Sequence, residues 1–105
     1  MTRYKKVINK YLENKEFYSK VQQRLISYID TKELEASYKR ATVDELITEK
    51  QGYEDILNYY MRVVIGNFIT PDLDSDLHAE NIASMLNTKV IITLINKELA
   101  RKEVR

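Results

Sequence analysis

Apolar side chains return every three or four positions along nearly the whole chain, and little interrupts them. Gly52, Gly66 and Pro71 are the only glycines and the only proline in 105 residues. Sheets closed by tight turns depend on those two residue types far more heavily. A period near 3.6 instead lines up one oily stripe per helix. The expected fold is all-α: a compact bundle of four or five helices, with residues 1–105 forming a single helical domain.

The first stretch, about Thr2 to Ile29, places Tyr4, Tyr11, Tyr18 and Leu25 seven apart, with Val7, Ile8, Val21, Tyr28 and Ile29 beside them. It reads as one amphipathic helix, with Asn14-Lys15 either a polar notch or a break. That interruption makes the pattern too short for a coiled coil. Asp30-Thr31-Lys32-Glu33 resembles a capped helix start, in which a side-chain oxygen takes an orphan backbone N–H and a carboxylate reaches back. The short helix after it, to about Arg40, turns Leu34 and Tyr38 inward.

Thr42-Val43-Asp44-Glu45 repeats that signature. The following pattern, Leu46, Ile47, Tyr53, Ile56, Leu57, Tyr60, Met61, Val64 and Phe68, is the clearest amphipathic stripe in the chain. It predicts a central core helix over about 43–69. Gly52 inside it costs about 1 kcal/mol relative to alanine and marks a candidate kink or break. Thr70-Pro71 ends the helix, because the residue before proline avoids helical geometry. A loop over Pro71 to Ser75 follows, with Asp74, Ser75 or Asp76 capping a helix that carries Leu77, Ile82, Ala83, Met85 and Leu86. Asn87-Thr88 is a candidate break. Val90 to Ile95 has strand propensity, but no second strand exists to pair with it, so it reads as a buried helix.

Cysteine is absent, which excludes disulfides, thiolate catalysis and cysteine metal sites. The longest apolar run, Val90 to Ile95, is far below the ~18 residues of a membrane-spanning helix. The start of the chain lacks the unbroken apolar stretch of a signal peptide. A cytoplasmic location and no membrane partner are expected. Lys, Ile, Asn and Tyr, all with A/T-rich codons, are abundant, which suggests a low-GC bacterium, its phage or a mobile element.

Net charge is +1 but segregated: +5 over residues 1–40, −7 over 41–88 and +3 over 89–105. Such blocks either pair within one domain or drive head-to-tail or dimeric association.

His78 is the sole histidine. Asp76 and Glu80 beside it are typical of a helix start, so it reads as an ordinary surface or capping residue. Asp72, Asp74 and Asp76 alternate like the opening of a calcium loop, but Leu77 replaces the turn glycine and Ala83 the closing glutamate. No phosphate loop, catalytic constellation, metal cluster or cofactor motif is present. Glu80 to Lys89 resembles the first helix of a helix-turn-helix, but Val90 to Ile95 is too oily to serve as its recognition helix.

The eight tyrosines carry the remaining signal. Tyr4, Lys5, Lys6, Lys10, Tyr11 and Tyr18 interleave aromatic rings with cations, and Tyr38 precedes Lys39-Arg40. These residues form the candidate interaction surface. Tyrosine and arginine anchor protein interfaces, and aromatic rings beside cations also hold single-stranded nucleic acid. The expected role is non-enzymatic protein binding as an inhibitor, adaptor or assembly factor. A nucleic-acid-binding regulator using the basic first helix is the alternative, and a homodimer fits the segregated charge.

Overall fold

A computed structural model describes residues 15–69 and 75–103. Four helices make up almost all of them: α1 (Lys15–Gln23), α2 (Tyr28–Arg40), α3 (Val43–Ile69) and α4 (Ser75–Glu103). The all-α bundle is as expected. Pro71 to Asp74 of the expected loop and the side chain of Phe68 lie outside the described residues.

Helix α3 has the bounds its sequence pattern predicts. Its start is a reciprocal capping box. The Glu45 amide donates to Thr42 Oγ1 (3.1 Å) and the Thr42 amide donates to Glu45 Oε1 (3.0 Å). The bond from the Thr42 amide, and secondarily the Thr42 hydroxyl, hold the Glu45 carboxyl below its ordinary pKa. The helix passes through Gly52 without a break.

Helix α4 is one element where two were expected. It runs 29 residues through Asn87-Thr88 and through Val90 to Ile95. Thr88 stays within the helix, its buried hydroxyl satisfied by the Ser84 carbonyl (2.7 Å). The β-branched run stays helical because Leu94 and Ile95 are buried and Ile91 packs against them; burial outweighs the modest propensity penalty. With no turn at Asn87, the helix-turn-helix resemblance falls.

The hub of the bundle is α4, not α3. It makes the extensive contacts with each of the other three described helices. A helix buried on several sides has apolar residues all round and only weak amphipathicity, so the clearest stripe belonged to a flanking helix. Ile47 and Ile56, expected in the core, are 46% and 43% exposed, and Leu77 is 48% exposed.

Two cores lie along α4. The first joins Phe17 and Val21 of α1 and Val64 of α3 to Ala79, Ile82, Ala83 and Met85. The second joins Tyr38 of α2 and Leu46 of α3 to Leu94, Ile95 and Leu99. Helices α1 and α2 thus follow one another along α4, while α3 spans both cores.

His78 is buried (3% exposed), contrary to the surface reading, with its ring 5.5 Å from that of Phe17. Burial lowers its pKa. The unfolded chain, with an ordinary pKa of about 6.5, therefore takes up protons first as pH falls. The stability held by neutral His78 is present above about pH 6.5 and is lost on acidification through the folded pKa. Urea midpoints should fall between about pH 7 and pH 5, and His78→Gln should flatten that slope.

Candidate interaction surface

The first helix does not continue to Ile29 as its stripe suggests. The Arg24 and Leu25 amides bond to the Val21 and Gln22 carbonyls (3.1 and 3.2 Å), closing α1 in a tight turn. The chain restarts at Ser27, the N-cap of α2, in extended geometry. Ser27 Oγ accepts from the Asp30 amide (3.2 Å) and donates to Asp30 Oδ2 (2.8 Å). The cap is therefore Ser27, not Asp30. The serine–acid spacing over Ser27 to Asp30 was the available signal, hidden because Leu25, Tyr28 and Ile29 also fitted a continuous stripe.

A residue more than sixty positions away holds this turn. Asn87, on α4, accepts from the Ile26 amide (2.7 Å) and donates to the Arg24 carbonyl (3.0 Å). Its amide thus satisfies one donor and one acceptor that the broken helix leaves open. Lys20 adds an ion pair with Asp76 (2.9 Å); its hydrogen bond, then its charge, hold the Asp76 carboxyl below its ordinary pKa. The turn is bracketed from both sides.

The bracketed turn presents apolar groups to solvent. Tyr28 is 72% and Ile29 71% exposed; Leu25, just before them, is 38% exposed. Val90, one helical turn beyond Asn87, is also 38% exposed. Lys32 lies over the Tyr28 ring, 5.1 Å from its centroid, a cation–π contact that steadies the ring. Rigid aromatic and aliphatic side chains on an anchored turn lose little freedom on binding, and exposed apolar groups gathered together mark interaction sites.

Of the residues expected to form the surface, the structure describes Tyr18, Tyr38, Lys39 and Arg40, and these four do not share one face. Tyr4, Lys5, Lys6, Lys10 and Tyr11 lie outside the described residues. Tyr18 is exposed on α1, its hydroxyl accepting from Gln22 Nε2 (2.7 Å). Tyr38 is a correction: it is 4% exposed and belongs to the second core. Burial, with Tyr53 and the Glu49 carboxylate nearby, pushes its hydroxyl far above the ordinary tyrosine pKa. It turns inward as its helix spacing suggests and is not available to a partner. Lys39 and Arg40 are exposed at the far end of α2, about 17 Å along the helix from Tyr28. There Lys102 Nζ donates to the Lys39 carbonyl (2.9 Å), tying the end of α4 to the last turn of α2.

Among the described residues no group of three or more histidines or carboxylates could hold a metal ion. Asp72 and Asp74 of the calcium-like motif lie outside them. No described helix is long and apolar enough to cross a membrane. An open groove between α3 and α4, about 570 Å3, is lined by Ile47, Gln51, Glu54, Asn96 and Ala100 among others, a mixed set without convergent catalytic groups. No family model matches the chain, and comparison with curated proteins and with solved structures finds no match.

Proposed function

We propose that the chain is a small non-enzymatic protein-binding module, an inhibitor, adaptor or assembly factor, that engages its partner through the turn between α1 and α2. The observation that carries this reading is the exposure of Tyr28 and Ile29 at the start of α2, directly after the turn whose Arg24 and Ile26 backbone groups Asn87 holds. An oily pair exposed to this degree adds little to the core of one copy. It suits insertion into an apolar pocket, the role of a hot spot.

The test is affinity capture from the native host, repeated with Tyr28→Ser and Ile29→Ser combined. Affinity for the captured protein should fall at least ~30-fold, about 2 kcal/mol or more. The melting curve should hardly move, because exposed substitutions cost within about 0.5 kcal/mol. Unchanged capture by the double variant would remove the turn as the binding element.

Nucleic-acid binding is the second reading, favoured by Lys39, Arg40 and Lys102 meeting at one end of the bundle. It requires affinity for DNA or RNA that falls steeply with salt and drops when Lys39 and Arg40 become serine.

A further inference from the structure

Only residues 24–27 separate α1 from α2. Arg24, Leu25, Ile26 and Ser27 include no glycine or proline, so their residue types do not forbid a helix. The apolar stripe of α1 also runs on across them. On one uninterrupted helix Phe17, Val21, Leu25, Tyr28 and Ile29 fall within an arc of about 120°. The turn interrupts that stripe and leaves Leu25, Tyr28 and Ile29 38%, 72% and 71% exposed.

The break is held from outside, by the Asn87 side chain on the Arg24 carbonyl and the Ile26 amide. A straight helix satisfies the same two groups from within. The Ile26 amide reaches the Gln22 carbonyl, and the Arg24 carbonyl accepts from the Tyr28 amide. Straightening therefore orphans neither group, and it gives the first amides of α2 the partners that a helix start lacks.

One copy does not accommodate the straight form. Phe17 and Leu34 are seventeen positions apart, as are Val21 and Tyr38. On a single helix the first member of each pair points about 100° away from the second. Phe17 and Val21 pack in the first core and Leu34 and Tyr38 in the second, all along the same α4. A straight helix that keeps Tyr38 seated lifts α1 from its place.

We propose that two copies of this chain exchange α1. Residues 15–40 straighten into one helix, α2 stays on its own α4, and α1 takes its counterpart's place on the other copy, against Ala79, Ile82, Ala83 and Met85. The contacts made are those given up, the Lys20–Asp76 ion pair included, so the exchange loses little packing. The straightened hinges lie beside the two-fold axis. There Leu25, Tyr28 and Ile29 of each copy meet those of the other, a contact a single copy does not have. A second copy is thus the occupant of this apolar patch. The dimer covers the side chains that the partner reading uses, so a partner and the exchange compete. The exchange is tested on the chain alone, and its failure leaves the partner reading standing. The chain's own α1 competes for the seat at an effective concentration on the order of millimolar, so the exchanged dimer is populated at high protein concentration.

The test is to unfold the full chain in urea, refold it at about 20 µM and at about 1 mM, and size both samples by sedimentation velocity. The concentrated sample should contain a dimer that the dilute one lacks. Two substitutions separate exchange from a simple surface contact. Ser27→Ala and Ser27→Pro both lose the Ser27 Oγ bonds to Asp30. Alanine continues a helix and proline breaks one, while the fixed φ of proline is close to the −81° of Ser27 in the turn. Relative to the unaltered chain, Ser27→Ala should raise the dimer association constant at least about tenfold, and Ser27→Pro should lower it by at least as much. Asn87→Leu, which releases the turn, should act in the direction of Ser27→Ala. Circular dichroism confirms that each variant is folded. A monomeric unaltered chain at both concentrations would overturn the proposal. So would a Ser27→Pro dimer as strong as that of Ser27→Ala, which would mean that copies touch without exchanging a helix.

Discussion

Replacing Ile82 with alanine should cost about 2–5 kcal/mol of unfolding free energy, a fall in melting temperature of roughly 10–30 °C for a domain of this size. Ile82 is fully buried where α4 meets both α1 and α3. Shortening it removes three methylene-sized groups from contacts with Phe17, Val64 and their neighbours. It also opens a cavity that three helices cannot all collapse into. Ile29→Ala is the matched comparison, with the same atoms deleted from a side chain 71% exposed. It should change stability by no more than about 0.5 kcal/mol. Urea denaturation of the two variants measures the contrast. Equal losses would mean that the turn is packed rather than presented, and both the fold and the partner reading would suffer.

Asn87→Leu should cost about 1–3 kcal/mol although it adds apolar bulk. The substitution leaves the Ile26 amide and the Arg24 carbonyl without the partner that joins them to α4. Both are part-buried, so solvent recovers some of the loss, which keeps the expected cost below that of Ile82→Ala. The effect is also local. Amide exchange at Ile26 should accelerate well before exchange at Leu94, which sits in the second core. Asn87→Asp separates the two bonds: a carboxylate still accepts from Ile26 but repels the Arg24 carbonyl. Near neutral pH that variant should be about as unstable as the leucine variant. It should regain stability as pH falls and its carboxyl protonates, because the protonated oxygen can donate to Arg24. No recovery would show that the Arg24 bond contributes little.

Much of the helical scaffold could be read from local chemistry. Thr42 and Glu45 sit at the spacing a reciprocal cap demands, and α3 begins there. Leu34 and Tyr38, four apart, turn inward together on α2. The same local logic failed between Arg24 and Ser27. Leu25, Tyr28 and Ile29 suit a continuing stripe as well as an exposed turn, and the residue that decides between them is Asn87, far along the chain. Asn87, a candidate breaker by residue type, lies inside α4. An asparagine competes with its own helix only when its amide has nothing better to bond, and here it has the Arg24–Ile26 backbone. His78 was misplaced for a similar reason: carboxylate neighbours suggested a wet helix start, while Phe17 on another helix covers the ring. Nearness in sequence does not place side chains on one surface: Tyr38 faces the core while Lys39 and Arg40 beside it face solvent.

By itself the sequence determined the class of fold, the bounds of α3 and the helical state of almost every described residue. Those properties rest on the recurrence of apolar side chains and on hydrogen bonds made within three or four positions. Only the tertiary structure decided that α4 is the hub, that α1 stops at Gln23 and that Tyr28 and Ile29 face water. A helical pattern states that a residue lies on an apolar stripe but not whether another helix arrives to cover it. Coverage depends on contacts between segments sixty residues apart, and local periodicity carries no information about those.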